Sequence, residues 1–310
     1  MKGAGQLQVA ASVSSWTDHR QRVLMLGVFP ALVVLGVITL APALFLVLTS
    51  LTPLNLTRPE QTAWNFSEPW INYLEMFQDE YFINSVLVQV RLSFYSVGLQ
   101  LLIGLGLALL LNIRARFLEA LRTTFLVPMV LPPIVVAIIW KVLYTPDISP
   151  IHWALEKLFG FQLDPMITSP DYALWAIIIA DVWQWFPFTM LMLLAALQML
   201  PEEPLEAARI DGANARQLFW YVILPLLRPT LLVAGLFRLI DSIKAFPLIY
   251  VLTGGGPGSV TEVTNYYAFV RAFSFSMLGY SSAITVVMVV AVFLLAWLVI
   301  RMFGMEVETE

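Results

Sequence analysis

Apolar residues dominate six stretches of the chain, 23–50, 86–111, 123–143, 173–199, 229–252 and 281–303. Each reaches the ~20 residues that a helix needs to cross the hydrocarbon of a bilayer. The pattern predicts an all-α integral membrane protein with six transmembrane helices. Ala41-Pro42-Ala43 in the first stretch looks like a signal-peptidase site, but the apolar run is too long for a signal peptide and continues through Leu44 to Leu48. A retained anchor is expected. Pro128, Pro132, Pro133 and Pro187 fall inside predicted spans and should bend them.

The segments between the spans differ in basic content, and positive charge marks the cytoplasmic side of short loops. Lys2, Arg20, Arg22, Arg114, Arg116, Arg122, Arg209, Arg216, Arg228 and Arg301 fall on one side, against Arg58, Lys141, Lys157 and Arg271 on the other. Both termini are therefore expected in the cytoplasm of a multi-pass inner-membrane protein. The chain divides into an N-terminal tail 1–22, a first transmembrane helix 23–50, an extracytoplasmic loop 51–85, a core 86–303 holding five spans and a cytoplasmic loop 200–228, and a C-terminal tail 304–310. Trp64, Trp70, Tyr73, Phe77, Tyr81 and Phe82 in the first outer loop fit an aromatic belt or an interfacial helix. The second outer loop, 144–172, is broken by prolines around one amphipathic stretch at His152 to Phe159. Arg91, at the outer end of the second span, is placed to snorkel toward the interface.

Composition narrows the chemistry. Of 310 residues, 59% are hydrophobic and 12% charged, so lipid must solvate much of the apolar surface. No cysteine is present, which excludes disulfides, thiolate metal sites and cysteine nucleophiles. A net charge of −4 without a basic run argues against a nucleic-acid partner. The two histidines, His19 and His152, fall on opposite sides of the membrane, so a histidine-based metal site is not expected.

Two of the spans carry polar stripes. Asp181, Gln184, Trp185 and Phe188 share one helical face at i, i+3, i+4 and i+7, and Arg238, Asp241, Ser242 and Ala245 repeat that spacing in the fifth span beside Lys244. Each charge at the bilayer centre costs about 2.5–3.5 kcal/mol on insertion scales. Asp241, one turn from both cations, is therefore expected to bridge Arg238 and Lys244, either as an internal packing network or as part of a polar path.

The cytoplasmic loop reads as a compact helix-turn-helix. Pro201 and Pro204 suit a helical first turn, Glu202, Glu203 and Glu206 complement the helix dipole, and Gly212 ends the helix. A second short helix from about Asn214 to Val222 is expected to stop before Leu224-Pro225. The small residues Ala207 and Ala208 would let another protein approach closely.

Glu206-Ala207-Ala208, three residues, Gly212, nine residues, Val222, one residue and Leu224-Pro225 resemble the E-A-A-x3-G-x9-I-x-L-P signature of permease subunits in binding-protein-dependent ABC importers. Val222 is the one departure. Leu252-Thr253-Gly254-Gly255-Gly256-Pro257-Gly258 and Gly279-Tyr280-Ser281-Ser282-Ala283 extend the resemblance to the carbohydrate-uptake branch, over roughly residues 80 to 303.

The resemblance implies that Glu206, Ala207, Ala208 and Gly212, with Arg209 and Asp211 as polar contacts, dock on a separate ATPase subunit. ATP would be bound by that partner, since the chain has no G-x-x-x-x-G-K-[ST] loop and needs no cofactor of its own. A second permease subunit, two ATPase subunits and an extracytoplasmic solute-binding protein are the implied partners, and a sugar or polyol the implied solute. Asp181, Gln184, Trp185, Phe188, Arg238, Asp241, Ser242 and Lys244 are then the candidate substrate-binding residues. Pro247 stands after Phe246 where relatives often carry Asp. A secondary transporter with ion coupling would share the polar spans but leave the E-A-A loop without a role, and an intramembrane aspartyl protease built on Asp181 and Asp241 lacks the G-x-G-D motif.

Overall fold

The computed structural model describes residues 3–58, 60, 65–112, 116–160 and 165–302, with side chains left aside at 3–26, 116–121, 159 and 302. Lys2, Trp64, Arg114 and the tail 304–310 lie outside the described residues. The described residues hold thirteen α-helices and one π turn joined by irregular segments, and no strand occurs among them.

Helix α1, Gly3–Ser50, carries the first span and continues well past its predicted cytoplasmic end at residue 23. A short α2, Ile71–Gln78, lies in the segment 51–85 with Trp70 and Phe77 exposed and Asn72 and Met76 buried. Helix α3, Glu80–Leu111, starts six residues before the predicted second span because Asp79 caps it, accepting hydrogen bonds from the Tyr81 and Phe82 amides. Its exposed Arg91 lies one turn before Tyr95, whose ring meets Trp175 at the start of the fourth span, 5.0 Å between centroids and tilted by 47°.

The third span is not one helix. It divides into α4, Arg116–Val130, and α5, Pro133–Tyr144, which meet at 101°. Pro132 and Pro133 cannot donate the backbone hydrogen bonds that would carry a helix through residues 131–133. Among the described residues there are thus five helices long and apolar enough to cross a membrane, and up to six spans when the bent pair counts as one. An outer helix α6, Pro150–Phe159, is capped by Ser149. Helix α7, Ala173–Gln198, supplies the fourth span and runs unbroken through Pro187.

The cytoplasmic loop holds α8, Glu202–Ile210, and α9, Ala215–Leu218. The second helix does not stop before Pro225 as expected. A π turn at Phe219–Ile223 carries it directly into α10, Leu224–Ile243. The wider turn accommodates a proline whose missing N–H would break a regular α ladder. The fifth span ends at Ile243 rather than residue 252, because the chain bends at Lys244-Ala245-Phe246 before α11, Pro247–Leu252. Two further helices, α12, Thr264–Phe273, and α13, Leu278–Met302, complete the fold, the latter being the sixth span.

Helices α3 and α7 form the most extensive pair, joined by α10 and α5. One apolar core gathers Val88, Leu92, Ile177, Ile178, Leu248 and Ile249, and another gathers Ala108, Leu111, Met190, Leu193 and Leu227 nearer the α8–α9 loop. A third gathers Met76, Tyr267, Tyr280 and Ile284, from α2, α12 and α13.

Candidate functional site

Between the two principal cores the interior turns polar. Arg238, 1% exposed, is the largest fully buried side chain of the described residues. Its Nε donates to Gln100 Oε1 at 2.7 Å and its Nη1 to Asp241 Oδ2 at 3.2 Å, while Nη2 lies 3.8 Å from Asp181 Oδ2. The guanidinium also sits over the Trp185 ring, 4.5 Å from its centroid. Asp181 Oδ2 accepts from Ser96 Oγ and from Gln100 Nε2, the latter at 2.8 Å. Three helices, α3, α7 and α10, thus meet on one charge-compensated cluster.

Asp241 bridges the two cations as its spacing predicts: Oδ2 faces Arg238 and Oδ1 lies 3.1 Å from Lys244 Nζ. Each carboxylate faces a cation, and Arg238 stands between them. That arrangement removes the shared-proton pair that an aspartyl protease requires.

A cavity of about 260 Å³ opens beside the cluster, lined by Asp181, Gln184, Trp185, Arg238, Asp241, Lys244, Phe246 and neighbours from the start of α5 and α11. Six of the eight residues singled out from the sequence are among the lining groups. Phe188 and Ser242 are not. The Ser242 hydroxyl is committed to the interior, within hydrogen-bond distance of Ser93 Oγ at 2.7 Å and of the Leu239 carbonyl at 2.9 Å.

Gln184 is buried, and its amide nitrogen donates to the Leu131 carbonyl at 3.2 Å, satisfying a group freed by the break between α4 and α5. Its Oε1 has no hydrogen-bond partner among the described residues. That oxygen is itself buried, an unpaired acceptor inside the wall rather than on the cavity surface.

The α3 side of this cluster was not singled out from the sequence. Gln89, Ser93, Ser96 and Gln100 recur at 4, 3 and 4 residues and all four are buried. That spacing is itself a helical stripe and could have marked α3 as the third wall.

At the other end of the molecule, α8 has no buried residue. Gly212 adopts φ +81°, which a side chain would strain. Around it the Gly212 amide donates to Arg209 and the Ala213 amide to Ala208, the two bonds of a Schellman turn. Asn214 and Gln217 then cap α9 reciprocally. The two helices enclose a groove of about 320 Å³ lined by Ala208, Asp211, Gly212, Tyr221 and others. Glu206, Ala207, Arg209 and Asp211 are exposed, and Ala208 is half-buried. Ile210 and Tyr221, 86% and 79% exposed, present apolar surface beside the groove.

The sequence profile of the family described as "Binding-protein-dependent transport system inner membrane component" matches residues 100–304. A trehalose/maltose transport system permease protein of Thermococcus litoralis is 40% identical over 71% of this chain and 74% of its own length. A sulfoquinovosyl glycerol transport system permease protein of Agrobacterium fabrum is 35% identical over 88% of each chain. A trehalose transport system permease protein of Mycobacterium tuberculosis is 32% identical over 96% of this chain and 94% of its own. Among solved structures, a chain of a bacterial ABC transporter involved in import of the acidic polysaccharide alginate superposes with a TM-score of 0.78 at 19% identity. The match covers 95% of this chain and 100% of that one, a likeness of fold.

Proposed function

The chain belongs to the binding-protein-dependent transport system inner membrane component family, and from that membership we propose that it is one membrane-spanning subunit of an ATP-driven sugar or polyol importer working by alternating access. It sits in the bacterial inner membrane with both termini cytoplasmic. A second, similar permease completes the translocation path, two ATPase subunits bind and hydrolyse the ATP, and an extracytoplasmic binding protein delivers the solute.

The observation that carries this reading is the α8–α9 loop. It is a rigidly capped helix pair with no buried residue in α8, exposed Ile210 and Tyr221, and a groove between its two arms. Such a surface, fixed by a Schellman turn and a capping box, suits docking on another subunit better than contact with water. A carrier driven by an ion gradient would have no use for it. Glu206, Ala207, Ala208, Arg209, Asp211 and Gly212 form the contact with the ATPase. Because the π turn makes α9 continuous with α10, a displacement of the loop reaches Arg238 and Asp241 along one helix.

The solute class rests on two supports. Relatives of this chain are named for trehalose, maltose and sulfoquinovosyl glycerol transport. The cavity beside Arg238 offers an aromatic pair, Trp185 and Phe246, for the C–H face of a sugar, and Asp241 for its hydroxyls. Asp181 and Arg238 hold that wall in place. Lys244, paired to Asp241, completes the rim.

The reading is tested by purifying the tagged chain from native membranes in mild detergent and identifying its companions by mass spectrometry. Recovery of an ATPase and a second permease is expected. Recovery of the chain alone, or only with copies of itself, would overturn the importer assignment.

A further inference from the structure

Beyond the cavity, aromatic rings continue outward. Phe246, on the cavity rim, stacks on Tyr250 of α11 at 5.4 Å between centroids and 22° between planes. It also meets Tyr266 at 6.0 Å and Phe269 at 4.9 Å. Tyr250 lies 6.4 Å from Tyr266 and 5.9 Å from Phe269, and Phe269 lies 5.0 Å from Phe273. The rings form a continuous path from the cavity to the far end of α12.

The two faces of α12 differ. Tyr267, Ala268 and Ala272 are buried, the first two in the core with Met76 and Tyr280. Tyr266, Phe269 and Phe273, at i, i+3 and i+7, make the other face. The Asn265 side chain donates to the Lys244 carbonyl at 3.1 Å, fixing the start of that face against the bend that holds Phe246. Tyr250 is 51% and Phe273 73% exposed, so free ring faces remain. Neither helix is long enough to cross a membrane by itself. The Tyr250 and Tyr266 hydroxyls make no hydrogen bond within the described residues, leaving each open to a polar ligand.

We propose that Phe246, Tyr250, Tyr266, Phe269 and Phe273 form an approach track on which the pyranose rings of a saccharide stack between the extracytoplasmic surface and the cavity. The inference rests on the transport reading above and extends it to a second binding surface. Ring-to-ring steps on this scale match the dimensions of one sugar ring. Flat apolar faces combined with phenol hydroxyls fit a ligand whose C–H faces alternate with hydroxyl edges. Stacking needs no fixed hydrogen-bond geometry, so a saccharide can pass from one ring to the next without breaking a strong bond.

Saturation-transfer NMR on the intact complex in nanodiscs, with trehalose as the probe at millimolar concentration, tests the track. The expected result is transfer from aromatic protons to the sugar C–H protons. Transfer should fall roughly two- to tenfold in the double variant Tyr250→Leu/Phe273→Leu, the range expected for lost aromatic contacts. Tyr250→Phe should retain it, separating ring stacking from loss of fold. No transfer in the wild-type complex, or equal transfer in the double variant, overturns the track. So does loss of the second permease from the leucine variant alone, since the rings would then be a subunit interface. An intact complex lacking saccharide contact at these rings defeats only the track, whereas a chain that purifies without an ATPase defeats the importer reading itself.

Discussion

The Arg238 guanidinium lies over the Trp185 ring at 4.5 Å, so the same cation that ties α3 to α10 also sets the face of an aromatic residue lining the cavity. One side of the guanidinium plane meets the ring, while its nitrogens are directed to Gln100, Asp181 and Asp241. Helix packing and the shape of the cavity wall therefore share one residue. Neither can change without the other.

Replacing Arg238 with Met should leave Asp181 buried beside no cation, at a cost of about 3–5 kcal/mol for a broken buried pair. Arg238→Lys should restore little, because an ammonium cannot reproduce the forked contacts. Adding Asp181→Asn to Arg238→Met should recover part of the loss. Thermal unfolding of the purified complex, compared across wild type and the three variants, measures this. Equal midpoints for Arg238→Met and wild type would show that the cluster does not hold the helices.

Trp185→Ala removes the aromatic wall, and Asp241→Asn weakens the contacts to both Arg238 and Lys244. Both variants should assemble with their partner subunits while uptake in proteoliposomes falls by roughly tenfold, about 1.4 kcal/mol. Unchanged uptake in Trp185→Ala would remove the ring from the path.

Much of this arrangement was legible in the chain. The polar stripes on α7 and α10 announced themselves because charges at membrane depth are costly, and the i, i+3 spacing fixed Asp241 between its two cations. The break at Pro132-Pro133 was visible as a bend, but its 101° angle was not. Proline removes a donor without dictating where the chain goes next. Gln100 and Ser96 escaped notice because uncharged polar residues in an apolar run look tolerable singly, and their stripe matters only once Asp181 and Arg238 are known to face it. The continuity of α9 with α10 was also hidden, since Pro225 signals a stop unless a π turn precedes it.

Gly104 marks the close approach of α3 and α7. A methyl group there would overlap Thr189 Oγ1 and come within 2.9 Å of the Met190 amide nitrogen. Thr189 also donates to the Gln100 carbonyl at 2.7 Å, so the strain would reach the polar cluster. Gly104→Ala should therefore destabilise the complex by about 1–3 kcal/mol, as overpacking generally does. A midpoint equal to wild type in thermal unfolding would mean that the helices have room to part.

The cluster around Asp79 has an acid limit. Burial alone would raise the Asp79 carboxyl, but hydrogen bonds from the Tyr267 and Tyr280 phenols and from the Phe82 and Tyr81 amides outweigh it and hold the group below its ordinary value of 3.8. Arg271 Nη2 lies 3.7 Å away. A depressed carboxyl contributes stability that is fully present above its unfolded value and is lost as pH falls through the folded one. Glu262, raised above 4.5 chiefly by burial, contributes in the opposite sense, fully below that value and less as pH rises through the higher one. Amide exchange in α12 should accelerate in acid below about pH 4 in wild type. Asp79→Asn should exchange faster at neutral pH and lack the acid step, and Glu262→Gln should keep it. An acid step unchanged in Asp79→Asn would assign it to another group.

The last prediction concerns coupling. Gly212 holds φ +81° inside a turn that orients α8 against α9, and Glu206 is exposed in α8. Gly212→Pro forbids that backbone angle and removes the amide that donates to Arg209. Glu206→Lys reverses a charge on the docking face. Neither residue touches the buried cores, so both variants should insert and fold. With the ATPase present, hydrolysis should continue at its basal rate while solute uptake falls to near background in Gly212→Pro and several-fold in Glu206→Lys. The comparison of ATPase activity with uptake in the same vesicles is decisive. Were both variants to transport at the wild-type rate, force would have to reach Arg238 and Asp241 by a route other than this loop.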